Sequence, residues 1–139
     1  MIVLDTNVLS AMMRAEPDQI VLAWLDRQPS ESIWLTSVTA FEVKFGLECL
    51  PTGRRRQQLE HAFDQMMRED FVGKVLPFDQ SAAEQAAILG AQRQRTGTPV
   101  DFRDTAIAGI VLARRAALAT RNRRHFADAR IRLVDPWAA

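Results

Sequence analysis

Short apolar runs that end on polar residues alternate with longer stretches of helical spacing along this chain. Ile2-Val3-Leu4 runs straight into Asp5, so residues 2–5 read as a short buried strand. Asn7 to Arg14 predicts a helix, broken by Pro17. A second helix starts near Pro17, since proline suits a first turn. Ile20, Val21, Trp24 and Leu25 share its apolar face, and Pro29-Ser30 end it. Ile33 to Thr36 is a second strand, and a helix from about Thr39 to Leu50 stops at Pro51-Thr52-Gly53. Residues 54–69 predict a charged amphipathic helix with Leu59, Ala62, Phe63, Met66 and Met67 facing inward. Lys74 to Phe78 is a third strand, and Asp79 or Ser81 caps an alanine-rich helix running to about Arg95. Gly97 and Pro99 mark a loop before a helix from Asp101 to Arg115. Residues 116–120 and 131–135 form a fourth and a fifth strand, closed by Pro136.

Strands alternating with helices predict an α/β domain with a mainly parallel sheet. The strands are apolar throughout, as strands covered on both faces should be. In such open sheets ligands bind beyond the carboxyl ends of the strands. With 139 residues, the expectation is one domain over 1–139, large enough to hide roughly 70% of its unfolded surface. There is no internal repeat or low-complexity tract.

Composition narrows the classes. Hydrophobic residues make up 47% and charged residues 25%, the balance of a soluble globular protein. No apolar run approaches membrane-helix length, and no basic segment leads into a long apolar stretch, so neither a membrane span nor a signal peptide is expected. A cytoplasmic location follows as an expectation. Cys49 is the one cysteine, which excludes a disulfide framework and a cysteine metal site. His61 and His125 lack zinc spacing. Neither a phosphate-binding glycine loop nor a dinucleotide fingerprint is present. The net charge of +1 does not announce a nucleic-acid binder. All but Lys44 and Lys74 of the 18 basic residues are arginine, however, with clusters at Arg54-Arg55-Arg56 and Arg121-Asn122-Arg123-Arg124. Arginine forks pair with phosphates, although a solvated face explains either cluster equally well.

Three carboxylates fall where a ligand should bind. Asp5 ends the first strand, Glu42 opens the helix after the second, and Asp104 lies in the first turns of the helix from Asp101. Each has a structural alternative. Asp5 could cap the next helix. Thr39-Ala40-Phe41-Glu42 matches a capping box. Asp101 reads chiefly as an N-cap, and acidic groups suit a helix start in any case. Gathered at one sheet edge, the three would repel one another unless a cation sat among them. Mg²⁺ and Mn²⁺ favour such oxygen donors and support phosphodiester hydrolysis.

The stretches "IVLDTNVLS", "TSVTAFEVKFGLECLP", "GTPVDFRDTAIAGIVLA" and "LATRNRRHF…IRLVDPW" together resemble PIN-domain ribonucleases. More narrowly, they resemble the VapC/FitB-type toxins of bacterial toxin–antitoxin pairs, from Ile2 to Trp137 and in family order. The resemblance implies a three-layer α/β/α fold and endonucleolytic RNA cleavage by water activated on Mg²⁺ or Mn²⁺. It implies Asp5 and Asp104 as direct metal ligands and Glu42 as the acid that aligns water or metal. Thr6 and Thr120 would support them by hydrogen bonding, and Asp101, an extra carboxylate one helical turn before Asp104, could support a ligand from behind. It also implies a VapB/FitA-type antitoxin, able to insert an arginine into the acidic pocket, together with a homodimer and toxin–antitoxin hetero-oligomers. Arg121, Arg123 and Arg124 leave the fourth strand beside the site, where RNA phosphates need neutralising.

Two departures stand out. Where many relatives carry a fourth acid, this chain reads Thr120-Arg121-Asn122. Asn122 can still orient a water but adds no charge. His125 stands where an aspartate is common, either as a surface replacement or as a group touching substrate. A catalytically weak PIN module that binds RNA or a partner, and a phosphatase acting on small phosphate esters, remain as alternatives.

Overall fold

The computed structural model describes residues 1–98 and 100–138. Five strands form one parallel sheet: β1 (Ile2–Leu4), β2 (Ile33–Thr36), β3 (Val75–Leu76), β4 (Ala117–Ala119) and β5 (Arg132–Val134), in the order β3-β2-β1-β4-β5. Six helices connect them: α1 (Thr6–Met13), α2 (Gln19–Asp26), α3 (Ser37–Cys49), α4 (Arg54–Glu69), α5 (Gln80–Arg95) and α6 (Phe102–Arg114). Single 3-10 turns occur at Ser30–Ser32 and Arg123–His125.

Alternation along each strand divides the core into two layers. On one face Leu4, Leu35 and Ala119 pack with Val8, Leu9, Val21, Trp24, Leu47 and Phe63 from α1–α4. On the other, Val3 and Leu118 pack with Leu89 of α5, with Ile107, Ile110 and Val111 of α6, and with Phe126. The result is the expected three-layer α/β/α arrangement. α5 and α6 approach so closely that a Cβ on Gly109 would lie 2.5 Å from the carbonyl oxygen of Ala82 and 2.7 Å from Ala86 Cβ.

Central β1 pairs with β2 on one side and β4 on the other, so the strand order reverses at β1. Because every strand is parallel, the residues after Leu4, Leu35 and Ala119 emerge at the same edge. That edge carries Asp5, Thr36 and Thr120, all buried.

The boundaries shift where backbone chemistry demands. The third strand is two residues long rather than Lys74 to Phe78, because Pro77 has no N–H for the ladder. Asp79, not Ser81, caps α5 by accepting from the Ala82 N–H at 3.0 Å. Asp18 caps α2, leaving Pro17 outside the helix. The third helix starts at Ser37, two residues before the expected Thr39, and Thr36 Oγ1 accepts from the Thr39 N–H at 3.0 Å. Thr39 is therefore no cap, and Glu42 belongs to the second turn rather than to a capping box. Gly97 turns the loop with φ +67°, while Pro99 lies outside the described residues.

Candidate active site

Asp5 leaves β1 with only 3% of its surface exposed and divides its two oxygens between two tasks. Oδ1 caps α1 by accepting the Thr6 N–H at 2.8 Å. Oδ2 accepts the hydroxyl of Thr120 at 2.7 Å and the amide of Asn7 at 3.2 Å. Thr120, fully buried, also receives the N–H of Asn122 at 3.0 Å and Asn7 Nδ2 at 3.3 Å. Asn7 Oδ1 then accepts the Arg121 N–H at 3.2 Å. This cross-strand tie between the ends of β1 and β4 sits at the crevice where ligands are held in such sheets.

Glu42 reaches the same edge from α3. Its Oε1 accepts the Thr6 hydroxyl at 3.1 Å, and Thr6 in turn is 3.1 Å from the hydroxyl of buried Thr39. Thr6 thus serves Asp5 through its backbone and Glu42 through its side chain. Arg103 Nη1 stands 3.8 Å from Glu42 Oε2. Asp104, in the first turn of α6, meets His125 Nδ1 at 2.9 Å through Oδ2.

Burial is the chief cause that raises the pKa values of Asp5, Glu42 and Asp104 above those of ordinary carboxylates. Their mutual charges add to it: Asp104 raises Asp5, and both aspartates raise Glu42. Hydrogen bonds from Thr120 and Thr6 pull Asp5 the other way, as the Thr6 bond does for Glu42. Three carboxylates from β1, α3 and α6 are therefore close enough to feel one another's charge.

Asp101 touches them only indirectly: its charge raises Asp104, and the Arg103 it holds also faces Glu42. It caps α6 through the Arg103 N–H at 2.8 Å, and the Arg103 guanidinium forks onto it, with Nε and Nη2 each 3.1 Å from an oxygen. That fork is the main reason its carboxyl is held below the usual range. The structure thus places Asp101 as cap and Arg103 anchor. Asn122 serves the site through its backbone, while its exposed side chain joins none of the hydrogen bonds around the three acids. The Arg121 guanidinium stacks over the Trp137 ring, 4.3 Å from its centroid. Arg123 and Arg124 are exposed on the 3-10 turn beside His125.

Sequence reasoning passed over Asn7, Arg93, Arg103 and the Asp104 contact of His125. The unbroken polar run Asp5-Thr6-Asn7 after an apolar strand was a usable signal for Asn7. Arg93, in the last turns of an alanine-rich helix, gives no such signal.

Among the described residues, no three His, Cys, Asp or Glu side chains converge closely enough to clasp an ion unaided. The donor set is nonetheless hard oxygen, partly desolvated and self-repelling. That suits Mg²⁺ or Mn²⁺, which keep waters and take a few carboxylates together with substrate phosphate, far better than it suits zinc.

Known proteins resemble this chain along almost its whole length. Residues 2–131 match the model of the PIN domain. VapC ribonuclease Y4jK of Sinorhizobium fredii is 39% identical over 137 residues, covering 99% of this chain and 98% of that protein. Toxin FitB of Neisseria gonorrhoeae is 31% identical over 99% of each chain, and a chain of the crystal structure of FitAcB from that organism superposes over the full length of both with a TM-score of 0.89. VapBC-5 of Mycobacterium tuberculosis, described as a member of the VapBC family of toxin-antitoxin systems, shares 25% identity at a TM-score of 0.69, covering 95% of this chain and 94% of the other.

Proposed function

This chain belongs to the PIN domain family, and from that premise we propose that it is a toxin that hydrolyses RNA phosphodiester bonds with Mg²⁺ or Mn²⁺. The observation that carries the proposal is that Asp5, Glu42 and Asp104, brought from three elements, are each raised by burial and each raised further by a neighbouring carboxylate. Such an arrangement costs stability unless a cation offsets it. The name VapC ribonuclease, borne by a relative of nearly equal length, supports RNA as the substrate.

When bound, the divalent ion would acidify a water and neutralise charge on the phosphate. Asp5 and Asp104 would hold it, and the hydrogen bonds of Thr6, Thr120 and Asn7 keep Asp5 from turning away. Glu42, with Oε1 fixed by Thr6, presents Oε2 to orient the attacking water and accept its proton. Exposed Arg123 and Arg124 would contact flanking phosphates. Arg121 would join them only by leaving Trp137.

A solved relative described as a member of the VapBC family of toxin-antitoxin systems supports an antitoxin of the VapB/FitA type as partner. No helix among the described residues is long and apolar enough to cross a membrane. Phe41 and Phe45, stacked and both more than half exposed on α3, support a protein partner or a second copy there.

The test is purified chain, free of antitoxin, with an RNA oligonucleotide. Cleavage should need Mg²⁺ or Mn²⁺ and stop with EDTA. Asp5→Asn and Asp104→Asn should abolish it while the circular dichroism stays native. Full cutting by either variant would sink the proposal. The uncharged Asn122 favours a second reading, a module that binds RNA without cutting. Binding by the wild-type chain with no cleavage in either metal would establish it.

A further inference from the structure

His125 is half exposed, yet its position is fixed from below. Its Nδ1 lies 2.9 Å from Asp104 Oδ2. Its backbone carbonyl accepts Nη2 of Arg93, an α5 arginine only 3% exposed. The same guanidinium donates Nη1 to Thr105 Oγ1 at 2.8 Å, on the residue after Asp104. It also forks onto Asp128, with Nε to Oδ2 at 3.0 Å and Nη2 to Oδ1 at 2.9 Å. Phe126, the residue after His125, is fully buried against α6. One buried cation therefore ties the turn bearing the imidazole to the helix turn bearing the carboxylate. A histidine that merely decorated the surface would need none of this support.

Resting on the metal-dependent function above, we propose that His125 is a positioning residue for Asp104. Its Nδ1–H fixes Oδ2, which would leave Oδ1 to meet a divalent cation, and Arg93 holds imidazole and carboxylate in register. The physical basis is preorganisation. A carboxylate already held in one rotamer loses less freedom when an ion binds, so affinity rises without a new ligand. Partners of this kind, one shell out from the ion, typically change metal affinity by 10–100-fold. Orientation of the acids present thus offsets the charge that Asn122 does not supply.

Mn²⁺ binding to the full chain, by calorimetry and by electron paramagnetic resonance of free Mn²⁺, tests the proposal. His125→Ala should weaken binding about tenfold. Thermal stability should be little changed, because the side chain is half exposed. His125→Asn, whose amide N–H takes the place of Nδ1–H, should recover affinity to within about threefold of wild type. Arg93→Lys keeps the charge but not the fork, and should lose affinity as His125→Ala does. Wild-type affinity in His125→Ala, or no recovery in His125→Asn, overturns the role of the imidazole. Wild-type affinity in Arg93→Lys overturns the role given to Arg93. A wild-type chain that binds no Mn²⁺ refutes the metal-dependent function and the proposal with it, an outcome distinct from all the others.

Discussion

The Arg93–Asp128 pair joins a buried partner to a wet one, and that asymmetry predicts unequal costs for removing either. Arg93 is 3% exposed and Asp128 is 44% exposed. Arg93→Met keeps the aliphatic stem in place and lets Asp128 return to water. Its cost is that two acceptors, the buried Thr105 Oγ1 and the part-buried His125 carbonyl, lose a charged donor. At about 1–2 kcal/mol each, the sum is about 2–4 kcal/mol. Asp128→Ala instead strands a guanidinium in the interior, where removal of one partner of a buried pair costs about 3–5 kcal/mol. The double variant has no stranded charge, so it should lie close to Arg93→Met alone, with a coupling of at least about 2 kcal/mol.

Urea unfolding of the four proteins without added metal measures this cycle. Asp128 is held below the usual carboxylate range chiefly by its Arg93 bonds. Its contribution is therefore present above the unfolded pKa of about 4 and lost as pH falls through the lower folded pKa. The coupling should accordingly be full at pH 7 and shrink below about pH 4. Additive costs within about 0.5 kcal/mol at pH 7 would refute the clamp.

The site acids give the opposite sign. Burial raises Asp104 above its unfolded value, so its favourable share exists below about pH 4 and is lost as pH rises through the folded value. Asp104→Asn should thus raise the melting temperature of metal-free protein at neutral pH, by an amount that fades in acid. Mg²⁺ should stabilise wild type but not this variant, and equal Mg²⁺ shifts in the two melting curves would count against the site. Thr120→Val removes the hydroxyl that donates to Asp5 Oδ2 in a fully buried spot, and should cost about 1–3 kcal/mol by denaturant unfolding. Gly109→Ala pushes a methyl against the Ala82 carbonyl and Ala86, and should cost about 1–3 kcal/mol in the same measurement, with the α5–α6 gap widened in a crystal structure.

The architecture was legible because each strand and helix announces its period locally, and because the rule that ligands bind at strand carboxyl ends turned the element order into a location. Asp5, Glu42 and Asp104 followed from that location alone. The misread features are those that require distance. Thr39-Ala40-Phe41-Glu42 is indistinguishable from a capping box in one dimension. Only the fold reveals that Thr36 takes the cap and that Thr6, from another element, holds Glu42. Arg93 looks like one more charge on a solvated helix, since nothing local signals that Thr105, Asp128 and the His125 carbonyl will enclose it.

Asp5 shows why the choice between cap and ligand was ill-posed. A cap needs one oxygen, and Oδ1 on the Thr6 N–H provides it. A cap alone has no use for 3% exposure, which raises the acid and penalises its charge. Nor does it explain why a second oxygen should be aimed by Thr120 and Asn7, from the far side of a strand crossing and the next helix turn. The cost of burying the carboxylate and the precision of its second set of partners are both accounted for if the charge is to be met by a cation. On that proposal, metal-free Asp5 would be an unfavourable state, held in place by the Thr6 cap together with Thr120 and Asn7.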